Sequence, residues 1–305
     1  MVFNSLLAKL SRPAQKQYKR LHNIMERAGL SEKILHLPNG QLKIWVTDAD
    51  RAQTLVLLQG FGGTATWQWY RQVRTLGRRF RLVLPDLLYF GDSYGALDNY
   101  TIEHQVETLK QAFDRLNIHR FDLGGLSYGG LVALRYAAEY PEDVRKLIIT
   151  ASPGPVMANM DMDRALRYLG VESFEEVFLP KDPSGIRRLL QLAWHRPPWA
   201  PTFALLDIHR ELFAHQRPEQ KRLLEHVIER IGHRSDLTLE IPHETLLVWG
   251  RHDRLFPVHI GQRLRAHIGD RAELHVIEDC AHCPNLEQAH EWNSTVMSFL
   301  KRTGP

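Results

Sequence analysis

At 305 residues with 44% hydrophobic content, the chain can bury one large core and still carry a subsidiary domain. No apolar run approaches the ~20 residues that span a bilayer, the N-terminus does not read as a signal peptide, and two cysteines make no disulfide framework, so a cytoplasmic, reducing setting is expected. A formal charge of +4, with no basic patch interleaved with aromatics, gives no case for nucleic acid as a partner.

Residues 1–30 read as an N-terminal helical extension. Phe3, Leu6, Leu7 and Leu10, then Tyr18, Leu21, Met25 and Ala28, recur at helical spacing, while Lys9, Arg12, Lys16, Lys19, Arg20 and Arg27 stand against the lone acid Glu26. Such a basic amphipathic helix either makes a peripheral contact with an anionic bilayer or packs on the body of the protein with its basic face in water. Lys33–Leu37 and Gln41–Val46 then flank Pro38-Asn39-Gly40, a hairpin signal. A strand at 54–58, a helix near Trp67–Leu76, a strand at Arg81–Leu84 and a helix at Thr101–Leu116 follow. Next come a strand at Phe121–Leu126, a helical stretch at Leu131–Tyr140 and a strand at Lys146–Thr150. Alternating βα units after an opening hairpin predict an α/β fold with a mostly parallel sheet and helices on both faces.

Between Pro153 and about Asp236 the alternation stops, and helices separated by Pro180, Pro183, Pro197, Pro198 and Pro201 are expected, with Trp194, Trp199, Phe203 and Phe213 among them. Strands resume at Thr245–Gly250 and Ala272–Ile277. The expected organisation is a core of residues 31–154 and 236–305, with a helical cap of 155–235 inserted after the sixth strand.

Gly125-Leu126-Ser127-Tyr128-Gly129 sits between the apolar run Phe121–Leu126 and a helical stretch. A serine between strand and helix occupies a sharp turn that lifts its hydroxyl clear of the sheet, and the small flanking residues let backbones approach. A nucleophilic serine needs a base, and the base needs an acid to orient it. Asp253 follows one predicted strand and His282 another. In Trp249-Gly250-x-x-Asp253-x-x-x-Pro257 and His282-x-Pro284-x-Leu286-Glu287 the chain resembles the acid and histidine motifs of α/β-hydrolase fold proteins, and the order Ser127, Asp253, His282 is theirs. Pro85-Asp86-x-x-x-x-Gly91-Asp92-Ser93 resembles another loop of that family, with Tyr89 in place of its first glycine and Asp86 expected to tie the loop down.

The resemblance implies a catalytic triad of Ser127, Asp253 and His282, and an oxyanion hole made by the backbone N–H groups of Phe61 and Tyr128. Gln59-Gly60-Phe61-Gly62-Gly63 carries glutamine where the family usually has histidine. Gly-Phe-Gly-Gly, Trp67-Gln-Trp69 and Leu87-Leu-Tyr-Phe90 look like the monoacylglycerol lipase group over residues 54–150. The implied activity is serine-dependent hydrolysis of a carboxylic ester with an apolar acyl chain, a small-molecule substrate, without cofactor or metal. Tyr89, Phe90, Met157, Trp194 and Trp199 are the candidate substrate-binding residues. Cys280 and Cys283 read as ordinary loop thiols rather than as zinc ligands or a redox pair.

Three other readings stand beside this one. Carbon–carbon hydrolases of ring-cleavage products usually carry asparagine before the serine and tryptophan after the histidine, where this chain has Leu126 and Cys283. Cofactor-free perhydrolases share the same triad. A ligand receptor on the same scaffold is the alternative of another class.

Overall fold

The computed structural model describes residues 12–47, 51, 53–96, 98–231 and 239–302. Phe3, Leu6, Leu7, Lys9 and Leu10 lie outside the described residues, as does the expected domain boundary at residue 236.

A hairpin opens the sheet. Strands β1 (Leu30–Leu37) and β2 (Gly40–Thr47) pair antiparallel, with Leu37 opposite Gly40 across a two-residue Pro38-Asn39 turn. Then come β3 (Thr54–Leu58), β4 (Arg81–Pro85), the two-residue β5 (Tyr94–Gly95), β6 (Phe121–Leu126), β7 (Val144–Thr150), β8 (Glu244–Gly250) and β9 (Ala272–Ile277). The sheet order is β1-β2-β4-β3-β6-β7-β8-β9, with β5 against the start of β2. Every pair from β4 to β9 is parallel, and β6 lies near the centre. Sequence patterning missed β5, which is too short to show a period. Among the eight strands of the continuous path, the helical insertion still follows the sixth, β7.

The central strands read as unbroken apolar runs because both of their faces are covered. Val56, Leu58, Val83, Leu147, Ile149, Leu247 and Trp249 point into one core, and the alternating Leu55, Leu57, Leu82, Leu84, Ile148, Leu246 and Val248 point into the other. Helices Ile102–Arg115, Tyr128–Glu139 and Val258–Ile268 supply the first core through Val106, Phe113, Val132 and Leu264. The second core takes Met25, Trp69, Val73, Trp292 and Val296 from helices on the opposite face.

Helix α1 (Pro13–Arg27) belongs to that second layer. Leu21 and Met25 are buried, and the first-turn amide of Ala14 donates to the buried Asp207 carboxylate at 2.6 Å. Lys16, Lys19, Arg20 and Arg27 remain exposed. In its described part, the N-terminal extension therefore takes the packed disposition.

The single helix expected near Trp67–Leu76 is two, α2 (Ala65–Trp69) and α3 (Val73–Leu76). The carbonyls of Gln68 and Arg71 accept from the Asn285 and Asn293 side chains, at 2.8 and 3.2 Å. Partners more than 200 residues away thus take the carbonyls that a continuous helix would use internally.

Between β7 and β8 the described residues form five helices: α6 (Asn159–Leu169), α7 (Phe174–Phe178), α8 (Pro183–Ala193), α9 (Thr202–Leu212) and α10 (Arg217–Ile231), the helices of the opposite core being α4 (Ile102–Arg115), α5 (Tyr128–Glu139) and α11 (Val258–Ile268). No described helix is long and apolar enough to cross a membrane.

Candidate active site

Ser127 stands at the carboxyl end of β6 with φ 54° and ψ −119°, a conformation L residues seldom adopt. Its backbone is held from both sides: its N–H donates to Thr150 O at 2.9 Å, and its carbonyl accepts from Gly130 N at 2.9 Å. The flanking glycines answer a steric demand. A Cβ on Gly125 would stand 2.2 Å from Gly129 O, and one on Gly129 would stand 2.4 Å from Gln59 O. The sharp turn thus needs Gly-x-Ser-x-Gly because backbone passes where side chains would be.

Asp253 follows β8 in a turn braced by its own residues. Its Oδ1 accepts from the amides of Leu255 and Phe256, each at 2.9 Å, and Trp249 Nε1 donates to Phe256 O at 2.7 Å. Asp253 Oδ2 is left for His282 Nδ1, 2.9 Å away, and both side chains are buried. Gly250 makes room for the histidine loop, since a Cβ there would lie 2.0 Å from Ala281 O. The tryptophan and glycine of the Trp249-Gly250 motif therefore have separate tasks, neither of which the sequence reading assigned.

Glu287 is the other contributor that the sequence reading quoted without a role. Its Oε1 accepts from Ala281 N at 2.7 Å, beside His282, and its Oε2 accepts from His195 N at 2.7 Å on the insertion. His282 N donates to Ala193 O at 3.1 Å. The histidine loop is thereby fastened to the end of α8.

The Gly-rich loop after β3 approaches Ser127 closely: a Cβ on Gly60 would lie 3.2 Å from Ser127 Cβ. Gly60 N donates to Gln68 Oε1 at 2.5 Å. Gln59, with its amide turned to satisfy both ends, donates to Pro85 O at 2.9 Å and accepts from Leu87 N at 2.8 Å. Glutamine here braces the neighbouring loop, as its donor and acceptor allow. Tyr128 is the first residue of α5, so its N–H has no intrahelical partner. Asp86 accepts from Ala65 N at 2.6 Å, and burial pushes its carboxyl up to about 7, against the pull of that hydrogen bond and of Lys43.

Ser127, Phe61 and Tyr128 line one narrow apolar cavity of about 40 Å³. Its far walls come from the insertion: Met157 and Met162, Phe174 and Phe178, and the stripe Leu224, Val227, Ile228 and Ile231 on α10. Phe256 closes one side, and its ring also packs edge-on against His282 at 5.4 Å between centroids. That ring links the serine cavity to the Asp253–His282 pair.

Of the five candidate substrate-binding residues, the structure brings only Met157 to this cavity. Tyr89 adopts φ 74° and sends its hydroxyl to Asn99 O at 2.7 Å, away from Ser127. Phe90 is buried behind the wall, 5.1 Å from the Phe61 ring. Trp194 packs with Cys283 and Leu286, while Trp199 follows Pro197-Pro198 and is 87% exposed. Apolar character within the insertion does not place these tryptophans at the cavity. The informative signal was the i, i+3, i+4, i+7 spacing from Leu224 to Ile231. Cys280 and Cys283 are free and buried, and burial first of all raises both thiols well above their ordinary range, which makes them poor nucleophiles.

Chemically, an imidazole oriented by a buried carboxylate can accept a proton, and a serine on a strained turn can offer one. The model of the family described as alpha/beta hydrolase fold matches residues 53–289. The chain is 30% identical over 298 residues to a 2-hydroxy-6-oxo-6-phenylhexa-2,4-dienoate hydrolase of Comamonas testosteroni, covering 92% of this chain and 97% of that protein. It is 26% identical over 289 residues to Lipase 1 of Psychrobacter immobilis, covering 93% and 86% respectively. The crystal structure of a candidate lipase from Acinetobacter baumannii AYE superposes with a TM-score of 0.81 at 22% identity, covering 94% of this chain and 95% of that one. With the family model spanning β3 to β9, the insertion and the loops that carry Ser127, Asp253 and His282, the chain belongs to the α/β-hydrolase fold family.

Proposed function

We propose that this chain is a serine hydrolase that cleaves carboxylic esters with an apolar acyl chain through an acyl-enzyme. The observation that carries the reading is Ser127, strained and exposed to an apolar cavity whose Phe256 wall abuts the carboxylate-bound His282. Ser127 Oγ attacks the acyl carbonyl and passes its proton to His282 Nε2, while Asp253 holds the Nδ1–H and stabilises the imidazolium. The amides of Phe61 and Tyr128 receive the developing oxyanion, a contribution of roughly 3 kcal/mol for each such donor. His282 then protonates the leaving alcohol, and water, deprotonated by the same imidazole, releases the acid.

The apolar chain is favoured by the cavity walls, which are hydrocarbon and aromatic apart from Ser127 at the floor. At about 40 Å³ the cavity is narrow for an acyl chain, and unbranched Met157 and Met162 can widen it by rotamer changes.

The test combines fluorophosphonate labelling with p-nitrophenyl esters from acetate to dodecanoate. Labelling at Ser127 and kcat/KM rising with chain length are expected, since each buried methylene contributes about 0.8 kcal/mol. Ser127→Ala should lose several orders of magnitude while remaining folded. A preference for acetate, or full activity in Ser127→Ala, refutes the reading.

A second reading is favoured by the Comamonas testosteroni relative: hydrolysis of a carbon–carbon bond next to a carbonyl. The same groups would serve it, but Leu126 and the buried Cys283 stand where asparagine and tryptophan are expected for that chemistry. Decay of a 2-hydroxy-6-oxo-dienoate chromophore faster than hydrolysis of any ester would decide for it.

A further inference from the structure

Beside the Ser127 cavity, and sharing its Met157 wall, lies a wider cleft of about 390 Å³. One side is α6, which brings Asp161, Arg164 and Tyr168 to it; the other is the His252–Arg254 turn and the start of α11 with His259.

The two carboxylates of this cleft are already engaged. Asp161 Oδ2 accepts from Arg263 at 2.6 Å and from Ala158 N at 2.9 Å, with His259 Nε2 at 3.5 Å from its Oδ1. Asp253 is taken by His282 and by two backbone amides. Arg164 and Arg254, exposed on two different elements of the cleft, have no carboxylate partner among the described residues. Arg263 balances Asp161, and the two guanidinium groups outweigh the single charge of Asp253, so the net charge of the cleft is positive. Guanidinium groups present planar forks that fit phosphate and carboxylate oxygens.

The Ser127 cavity cannot take a charge without large desolvation cost, because its walls offer almost no polar atoms. A substrate that bears both a chain and a charge must place the chain in that cavity and the charge outside it. We propose that the cleft recognises an anionic group, phosphate or carboxylate, on the alcohol half of the ester, held by Arg164 and Arg254. This assignment rests on the ester-hydrolase reading and extends it to a substrate class.

Three esters of one acyl length test it: 1-octanoylglycerol, its 3-phosphate, and octanoyloxyacetate, compared by kcat/KM at low salt. At least one anionic ester should exceed the neutral one by about 10-fold, with the advantage shrinking as salt is raised. The double variant Arg164→Ala/Arg254→Ala should erase that ratio, and Arg164→Glu should invert it. Whichever anionic ester leads identifies phosphate or carboxylate as the group read. An anionic-to-neutral ratio near one in the wild type, or one that the arginine variants leave unchanged, overturns the proposal.

Calorimetry on the wild-type chain separates this failure from failure of the hydrolase reading, because it needs no turnover. Octyl phosphate or octyloxyacetate should bind at least 10-fold tighter than octyl glucoside and lose that margin in the double variant. Equal binding of all three overturns the anion site, whatever the esters do. Anion binding without turnover of any ester refutes the hydrolase reading alone.

Discussion

Replacing Asp86 by asparagine tests whether this buried carboxyl is protonated in the folded chain. Its Oδ1 receives the Ala65 amide at 2.6 Å, and Oδ2 lies where a Cβ on Gly91 would come within 2.7 Å. Burial raises the group from 3.8 to about 7, only partly opposed by the Ala65 hydrogen bond and by Lys43. A folded pKa above the unfolded one means that, between those values, the folded chain holds a proton the unfolded chain has released. The contribution of Asp86 to stability should therefore be greatest below pH 4, fall as pH rises, and level off above about 7. The slope is at most about 1.4 kcal/mol per pH unit, so between pH 5 and 7 this one group removes up to about 3 kcal/mol. The Asp86→Asn side chain keeps an acceptor for Ala65 but has no charge to bury, and any cost of its unpaired amide is independent of pH. Urea unfolding of both proteins at pH 5, 6, 7 and 8, followed by circular dichroism, gives the difference directly. D86N should gain on the wild type steadily up to pH 7 and hold its gain at pH 8. A difference that stays flat, or moves the other way, refutes a buried protonated carboxyl.

Gly129→Ala should abolish activity and lower the unfolding midpoint, because its Cβ would meet backbone oxygens of Gln59 and Leu58 at 2.4 and 2.5 Å and neither can rotate away; wild-type turnover in this variant would refute the tight elbow. Glu287→Ala strips the acceptor from the Ala281 and His195 amides, so a loss of about 2–4 kcal/mol in unfolding free energy is expected, together with a kcat decrease larger than any change in KM. Glu287→Gln should recover part of both, and an unchanged kcat in the alanine variant would show that the histidine loop needs no such tie. Removing residues 1–28 should give an aggregating protein rather than a trimmed active one, since Leu21 is buried and Met25 is part of the second core; a monomeric, fully active truncation by light scattering and ester assay would contradict that.

Local chemistry fixes much of this molecule before any fold is considered. Short apolar runs such as Thr54–Leu58, alternating with helical stretches, read as strands covered on both faces, and Gly-x-Ser-x-Gly between a strand and a helix reads as a sharp turn. The chain order of Ser127, Asp253 and His282 was equally readable, because each follows a predicted strand. The packed helix at Pro13–Arg27 was different: its spacing announced a buried stripe but not the surface that buries it.

What the sequence left open depends on partners far away along the chain. Periodicity tells which side of α10 is buried, but only packing brings Leu224, Val227, Ile228 and Ile231 over Ser127 and leaves Trp199 in water. Glu287 reaches His195, 92 positions upstream, and Gly250 yields its space to Ala281. Such contacts arise from how the loops at the carboxyl ends of the strands fold back over one another, and a residue's own type and neighbours carry no record of it. Nor does the sequence reveal that Asp161 and Asp253 are already engaged while Arg164 and Arg254 have no carboxylate partner among the described residues, because a charge is free or paired only once its surroundings are in place.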